Sequence, residues 1–230
     1  MTIAGIIGGI GPESTMDYYR SIIATYQQRK PDGTYPSIIL NSIDLSQLIR
    51  MVEAGALEEL ADYVSREIQR LAAAGADFAA LSANTPHIVF DKLRSRSEIP
   101  LISIVEAASE EAERLGLKKL GLLGTRFTMQ GRFYPDVFSR RGLALVVPGP
   151  EDQADVHSRY MRELLKGRFL PETRDRLLQI IERLRRDEQI QGLILAGTEL
   201  PLILRDAANP GIPFLDTTEI HVRAIVDRLL

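Results

Sequence analysis

Ile3-Ala4-Gly5-Ile6-Ile7-Gly8-Gly9-Ile10-Gly11-Pro12-Glu13-Ser14-Thr15 is the stretch that decides the fold. The run Ile3 to Ile7 is apolar at successive positions, as a strand buried on both faces must be. It breaks at Gly8-Gly9-Ile10-Gly11-Pro12, and the polar Glu13-Ser14-Thr15 lead into helix-like sequence. Strand, tight turn and helix start thus follow one another within a few residues. Outward from this stretch the same alternation continues. Ile38 to Leu40 reads as a second strand, with Asn41-Ser42-Ile43-Asp44 as the loop at its end. From Leu57 the apolar positions Leu60, Ala61, Val64, Ile68 and Leu71 recur at helical spacing and stop at Gly75. Phe78 to Leu81 is another short buried strand. Buried strands alternating with helices predict a doubly wound α/β protein, a parallel sheet covered by helices on each side.

The pattern then repeats. Lys119 to Leu123 is again a buried run, and it ends in Gly124-Thr125-Arg126-Phe127-Thr128 ahead of another helix. The helix around Arg174 to Arg186 precedes a strand at Gly192 to Leu195, as the helix from Leu57 precedes the strand at Phe78. Strand Phe78 to Leu81 runs into Ala83-Asn84-Thr85-Pro86-His87, and strand Gly192 to Leu195 runs into Gly197-Thr198-Glu199-Leu200-Pro201. Pro213 to Leu215 is strand-like as well. Chance recurrence is open to any α/β chain. Duplication predicts two similar lobes, each a parallel sheet flanked by helices, related by an approximate twofold axis with the site in the cleft between them. The expected lobes are residues 1–115 and 116–230, with the split near Arg114 to Lys118. The helix ending the first lobe and the final segment of the second are each able to cross onto the other.

Composition excludes several function classes. The chain has 230 residues, 26% of them charged, and a net charge of -3, so it has no basic footprint for nucleic acid or an anionic membrane. Arg183, Arg185 and Arg186 cluster, but Asp187 and Glu188 follow at once. Met1 to Ile10 has no basic leader, and no run approaches the ~18 apolar residues of a membrane span. A cytoplasmic location is expected. With no cysteine at all, disulfides, thiolate metal sites and cysteine nucleophiles are ruled out. The only histidines, His87, His157 and His221, have no metal-ligand spacing, so no metal site is expected. His221 follows Asp216-Thr217-Thr218-Glu219, either at the cleft edge or as a helix cap.

Candidate binding groups lie at the strand ends. Gly9 and Gly11 put flexible backbone at a helix N-terminus, which suits a carboxylate or a phosphate and equally suits a purely structural turn. The glycine spacing fails the dinucleotide fingerprint, and no Lys follows as in a phosphate-binding P-loop. Asn84, Thr85, Thr125, Thr128 and Thr198 offer amide and hydroxyl groups that either orient a carboxylate or cap local structure.

Taken together, Gly8-Gly9-Ile10-Gly11-Pro12-Glu13-Ser14-Thr15, Asn84-Thr85-Pro86-His87, Gly121-Leu122-Leu123-Gly124-Thr125-Arg126-Phe127-Thr128, Thr198-Glu199-Leu200 and Leu215-Asp216-Thr217-Thr218 resemble the aspartate/glutamate racemase family over nearly the whole chain. The resemblance implies a cofactor-independent isomerase of two α/β lobes, a small carboxylate or amino-acid ligand, and a homodimer. It also implies that Asn84, Thr85, Thr125 and Thr198 hold the ligand, that Gln47 borders it, and that Lys166, with Arg159 behind it, reaches an acidic side chain. In that family a catalytic cysteine precedes the Asn-Thr pair and another precedes the Thr-Glu pair. Those positions here are Ala83 and Gly197. Two thiols normally move a proton off one face of the α-carbon and onto the other. Neither Ala nor Gly does that.

Three readings follow. One is an isomerase, lyase or decarboxylase using another group, with Ser82, His87, Thr198, Glu199 or Asp44 as candidates. Ser82 is the weakest, because strand alternation turns it away from position 83. The second is a carboxylate-binding protein without turnover. The third is a racemase whose thiols were exchanged by mutation.

Overall fold

The computed structural model describes residues 2–205 and 211–230. In chain order the elements are β1 (Ile3–Gly8), α1 (Pro12–Arg29), β2 (Ser37–Ser42), α2 (Leu45–Glu53), α3 (Leu57–Ala73), β3 (Phe78–Leu81), α4 (Phe90–Arg96), β4 (Leu101–Ile102) and α5 (Ile104–Arg114). The chain continues through β5 (Lys119–Gly124), α6 (Arg126–Gln130), α7 (Phe133–Ser139), β6 (Ala144–Val146), α8 (Pro150–Arg162), α9 (Pro171–Glu188), β7 (Gly192–Ala196), α10 (Leu200–Leu204), β8 (Phe214–Asp216) and α11 (Thr217–Leu229). They form two compact units. The first runs to Ile104 and takes back Thr218–Leu230, and the second is Val105–Thr217.

In the first unit four parallel strands lie in the order β2-β1-β3-β4. Ala4 pairs with Ile38 on one side and Phe78 on the other, which makes β1 the central strand and explains its unbroken apolar run. Asn41 and Ser42, expected as a loop, belong to β2 instead. The ladder with β1 simply continues through Ile7↔Asn41 and Gly8↔Ser42, and the Asn41 amide is satisfied sideways by Glu67 Oε2 at 2.8 Å. Helix α1 opens on Pro12, whose fixed φ and missing N–H suit a first turn. Its inward face, Tyr18, Ile22 and Tyr26, packs with Ala4, Ile6, Phe78 and Ala80 of the sheet and with Val222, Ile225, Val226 and Leu229 of α11. The C-terminal helix is therefore part of the first unit's core.

The second unit repeats the strand order as β6-β5-β7-β8, again all parallel. Leu177, Ile180, Ile181 and Leu184 of α9 pack on Leu123, Leu193 and Leu195, together with Val156 and Tyr160 of α8. The duplication reaches single residues. Gly5 in β1 and Gly121 in β5 occupy the same strand position, and a Cβ at either would come within 3.1 Å of the helix that leads into the neighbouring strand, at Leu71 Cδ1 of α3 and Leu184 Cδ2 of α9 (2.9 Å) respectively. Gly8 and Gly124 close those strands. A Cβ there would lie 2.5 Å from Thr15 Cγ2 and 3.1 Å from Thr128 Cβ, so both glycines let a helix start press on the strand end. β4 and β6 escape a sequence reading because they are only two and three residues long. Among the described residues no helix is long and apolar enough to cross a membrane.

Candidate functional site

In the first unit the ends of β2, β1 and β3 are tied to one another by backbone bonds. Ile43 N–H donates to Gly8 O at 2.9 Å, and Ser82 N–H donates to Ile7 O at 2.9 Å. Ser82 Oγ gives its proton to the same Ile7 carbonyl at 3.0 Å, so this hydroxyl is buried in strand closure, in keeping with its outward register. The glycine turn is closed from inside: Gly9 N–H donates to Thr15 Oγ1 at 2.9 Å, and Thr15 Oγ1 donates to Gly11 O at 3.0 Å. Gly9 and Gly11 have φ of 80° and 92°, a region glycine enters without strain. The Gly9 amide thus serves Thr15, and the turn is held by its own helix.

His87 is only 2% exposed, and both of its ring nitrogens are engaged. Nδ1–H donates to Ala83 O at 3.0 Å, and Nε2 accepts Ile104 N–H at 3.2 Å. The ring also stacks on Phe90 with centroids 4.7 Å apart. Burial, with His221 adding to it, pushes its pKa down to about 3. The neutral imidazole braces the backbone of position 83. His221 is its neighbour: Tyr18 Oη donates to Nδ1 at 2.9 Å, Nε2–H donates to Ile102 O at 3.0 Å, and burial lowers its pKa to about 4. Asp44, another candidate, is the N-cap of α2. Its carboxylate accepts Ser46 N–H at 2.8 Å and Ser46 Oγ–H at 2.7 Å, and these bonds hold its pKa below the usual carboxylate range. Gln47 sits exposed on the same helix. Asn84 is buried and Thr85 half-buried at the end of β3, where a 3₁₀ turn over Thr85–Val89 begins.

In the second unit Thr125 caps α6 by accepting Thr128 N–H at 3.4 Å, and the two hydroxyls lie 3.2 Å apart, both buried. Thr198 and Glu199 follow β7. Thr198 Oγ–H donates to Glu199 Oε2 at 3.1 Å, and the Tyr160 phenol donates to the same oxygen. Glu199 is 1% exposed, and Tyr160 is 4% exposed. Burial, then the Glu199 charge, drive the phenol's ionisation well above its ordinary 10. Tyr160 arrives from α8, and no sequence signal marked it beyond its place on the helix's apolar face. Arg159 and Lys166, the residues expected to reach an acidic side chain, differ in their surroundings. Arg159 is committed to Asp155 at 2.8 Å and Thr173 Oγ1 at 3.0 Å, and Lys166 is exposed on the single 3₁₀ turn Leu164–Lys166. His157 Nδ1 accepts Arg126 N–H at 3.3 Å at the start of α6. Among the described residues no group of three or more His, Cys, Asp or Glu side chains is placed to hold a metal ion.

Two four-stranded parallel sheets of identical order, with Ala83-Asn84-Thr85 and Gly197-Thr198-Glu199 at matching strand ends, reproduce the pattern the sequence suggested. The Asp/Glu/Hydantoin racemase family model matches residues 7–225. The chain belongs to this family. Among curated proteins it is similar to the broad specificity amino-acid racemase RacX of Bacillus subtilis, with 24% identity over 98% of this chain and 97% of that one. Among solved structures it is similar to an aspartate racemase homologue from Pyrococcus horikoshii, with 33% identity, a TM-score of 0.84, and coverage of 100% of this chain and 99% of that chain. The Picrophilus torridus aspartate racemase shares the fold, with a TM-score of 0.81 at 23% identity over 100% of this chain and 94% of that chain. As a member of the Asp/Glu racemase family this chain keeps the family's two-sheet α/β architecture, and it contains no cysteine.

Proposed function

We propose that this Asp/Glu racemase-family protein binds a small acidic amino acid or a related carboxylate and does not racemise it by the two-thiol route. The donors we assign to the ligand are Asn84 and Thr85 in the first unit and Thr125, Thr128 and Thr198 in the second, polar groups kept at the ends of otherwise apolar strands. The observation that carries the reading is at the thiol positions. Position 83 has a bare methyl group, and position 197 has no side chain at all. Losing one positioned acid or base typically forfeits about 10²–10⁴-fold in rate, and the α-proton of an amino acid is too weakly acidic to spare it. We also assign a homodimer, on the family likeness, with sedimentation velocity as its check, and the cytoplasm as its location.

A second reading is supported by the buried Glu199 carboxylate, which two hydroxyl donors surround. Under it the same scaffold would run a thiol-free isomerisation, elimination or decarboxylation with Glu199 as the proton-handling group. One experiment separates the two. The protein is incubated with L- and D-aspartate, L- and D-glutamate and simple dicarboxylates in heavy water, and ligand-induced stabilisation, α-proton exchange and product are followed by thermal unfolding and proton NMR. Stabilisation without exchange or product is the expected result. Exchange abolished by Glu199→Gln favours the second reading, and no stabilisation by any carboxylate sinks both.

A further inference from the structure

We propose that Tyr160 occupies the space of the missing side chain at position 197, so that the group presented at the end of β7 is a phenol tied to a carboxylate where the family carries a thiol. This deepens the function proposed above and rests on it for its meaning, though not for its test. The geometry is direct. A Cβ built on Gly197 would lie 2.6 Å from Tyr160 Cε2, 2.7 Å from Tyr160 Oη and 3.0 Å from Tyr160 Cζ. Carbon–carbon contacts prefer about 3.5–4.0 Å, so the ring and a side chain at 197 exclude each other.

The ring has little freedom to give way. Val156, Tyr160 and Leu164 follow one another at four-residue steps and are all buried in the second unit's core. The far end of the ring is pinned as well, because the phenol donates to Glu199 Oε2 and lies 3.5 Å from Glu199 N–H. Gly197 and Tyr160 therefore describe one volume, filled from α8 and vacated from β7.

The chemistry changes with the occupant. A thiolate is a base, and its thiol can return the proton. The Tyr160 phenol, buried and beside Glu199, is held in its protonated form, so it donates a hydrogen bond and does not take up a proton. Thr198 adds a second donor to the same carboxylate oxygen at 3.1 Å. The end of β7 is thus a fixed hydrogen-bonding wall.

A double-mutant cycle without ligand tests the proposal. Because the chain has no cysteine, any thiol titrated by a disulfide reagent is the introduced one. Gly197→Cys alone is expected to lower Tm by roughly 2–12 °C, the range for overpacking in a chain of this size. In a Tyr160→Ala background the same substitution is expected to leave Tm unchanged or to raise it, with a thiol that reacts under native conditions. Should Tyr160→Ala not fold, Tyr160→Leu keeps an apolar filler and serves in its place. Tyr160→Phe retains the ring and should retain the penalty. An equal fall in Tm in all backgrounds, or Gly197→Cys tolerated beside the native tyrosine, would overturn the proposal. Neither result depends on whether a carboxylate binds.

Discussion

Acidification should unfold this protein through two histidines, and the size of the effect follows from their burial. His87 and His221 are buried, and their pKa values fall from 6.5 to about 3 and about 4. For a histidine with a depressed folded pKa, the native state prefers the neutral ring. Its stabilising contribution is complete above the unfolded pKa of 6.5 and drains away as pH falls from there toward 3 or 4, where the folded rings also protonate. At 1.36 kcal/mol per pH unit, lowering the pH from 7 to 5 costs about 2 kcal/mol for each ring, or about 4 kcal/mol for both, a large share of a typical folding stability. The two rings stand with centroids 6.4 Å apart, so charging one makes charging the other harder, and Arg94 lowers the His87 pKa further. Urea unfolding at pH 7, 6 and 5 gives the loss. Proton NMR of the histidine Hε1 signals gives the cause, because both rings should hold their neutral chemical shifts down to pH 5 in the folded protein. A midpoint near 6.5 for either His87 or His221 would refute the argument whatever the urea data show.

Thr15→Val keeps the shape of the side chain but removes the acceptor for Gly9 N–H and the donor to Gly11 O. A loss of about 1–3 kcal/mol in urea denaturation is expected, and a loss below 0.5 kcal/mol would show that the turn does not lean on Thr15. Ala83→Cys adds one sulfur to an existing Cβ, so its Tm should lie above that of Gly197→Cys. The reverse order would mean that the space at position 83 is the tighter of the two. The double variant Ala83→Cys/Gly197→Cys should exchange no α-proton of aspartate or glutamate in heavy water, since the second thiol has no room beside Tyr160. Adding Tyr160→Ala should raise exchange above that double variant's baseline, and exchange already present in the double variant would show that the ring yields.

How much of this could be read from the sequence depends on the range of the interactions. Central strands were legible because a strand buried on both faces must be apolar at each position, which Ile3 to Ile7 and Lys119 to Leu123 largely satisfy. Edge strands β4 and β6 were not, because two or three residues carry no period, and the equally short β8 showed only through the apolar Pro213 to Leu215. Asn41 and Ser42 looked like a loop because they are polar, and only the neighbouring strand shows that their backbones still pair. Two members of the candidate acid/base list are engaged by groups the sequence does not show. Asp44 and His87 have the right chemistry, but partners unseen in the sequence spend Asp44 on Ser46 and both nitrogens of His87 on backbone.

Ala83 and Gly197 look equivalent in the sequence, since they hold matching places in a duplicated fold, but their surroundings make them physically different. At position 83 the side chain is a methyl group and the backbone is gripped, with His87 Nδ1–H on the Ala83 carbonyl. At position 197 there is no side chain, and a ring whose phenol reaches 39 residues ahead to Glu199 lies where one would begin. Position 83 keeps a Cβ that could carry a reagent. Position 197 is closed by the Tyr160 ring and its hydrogen bond to Glu199. The four-residue spacing of Val156, Tyr160 and Leu164 can at most mark buried positions, and it has no means of showing that the tyrosine's ring fills the place opposite a glycine. Placing a side chain at position 197 therefore takes two substitutions where the sequence suggests one.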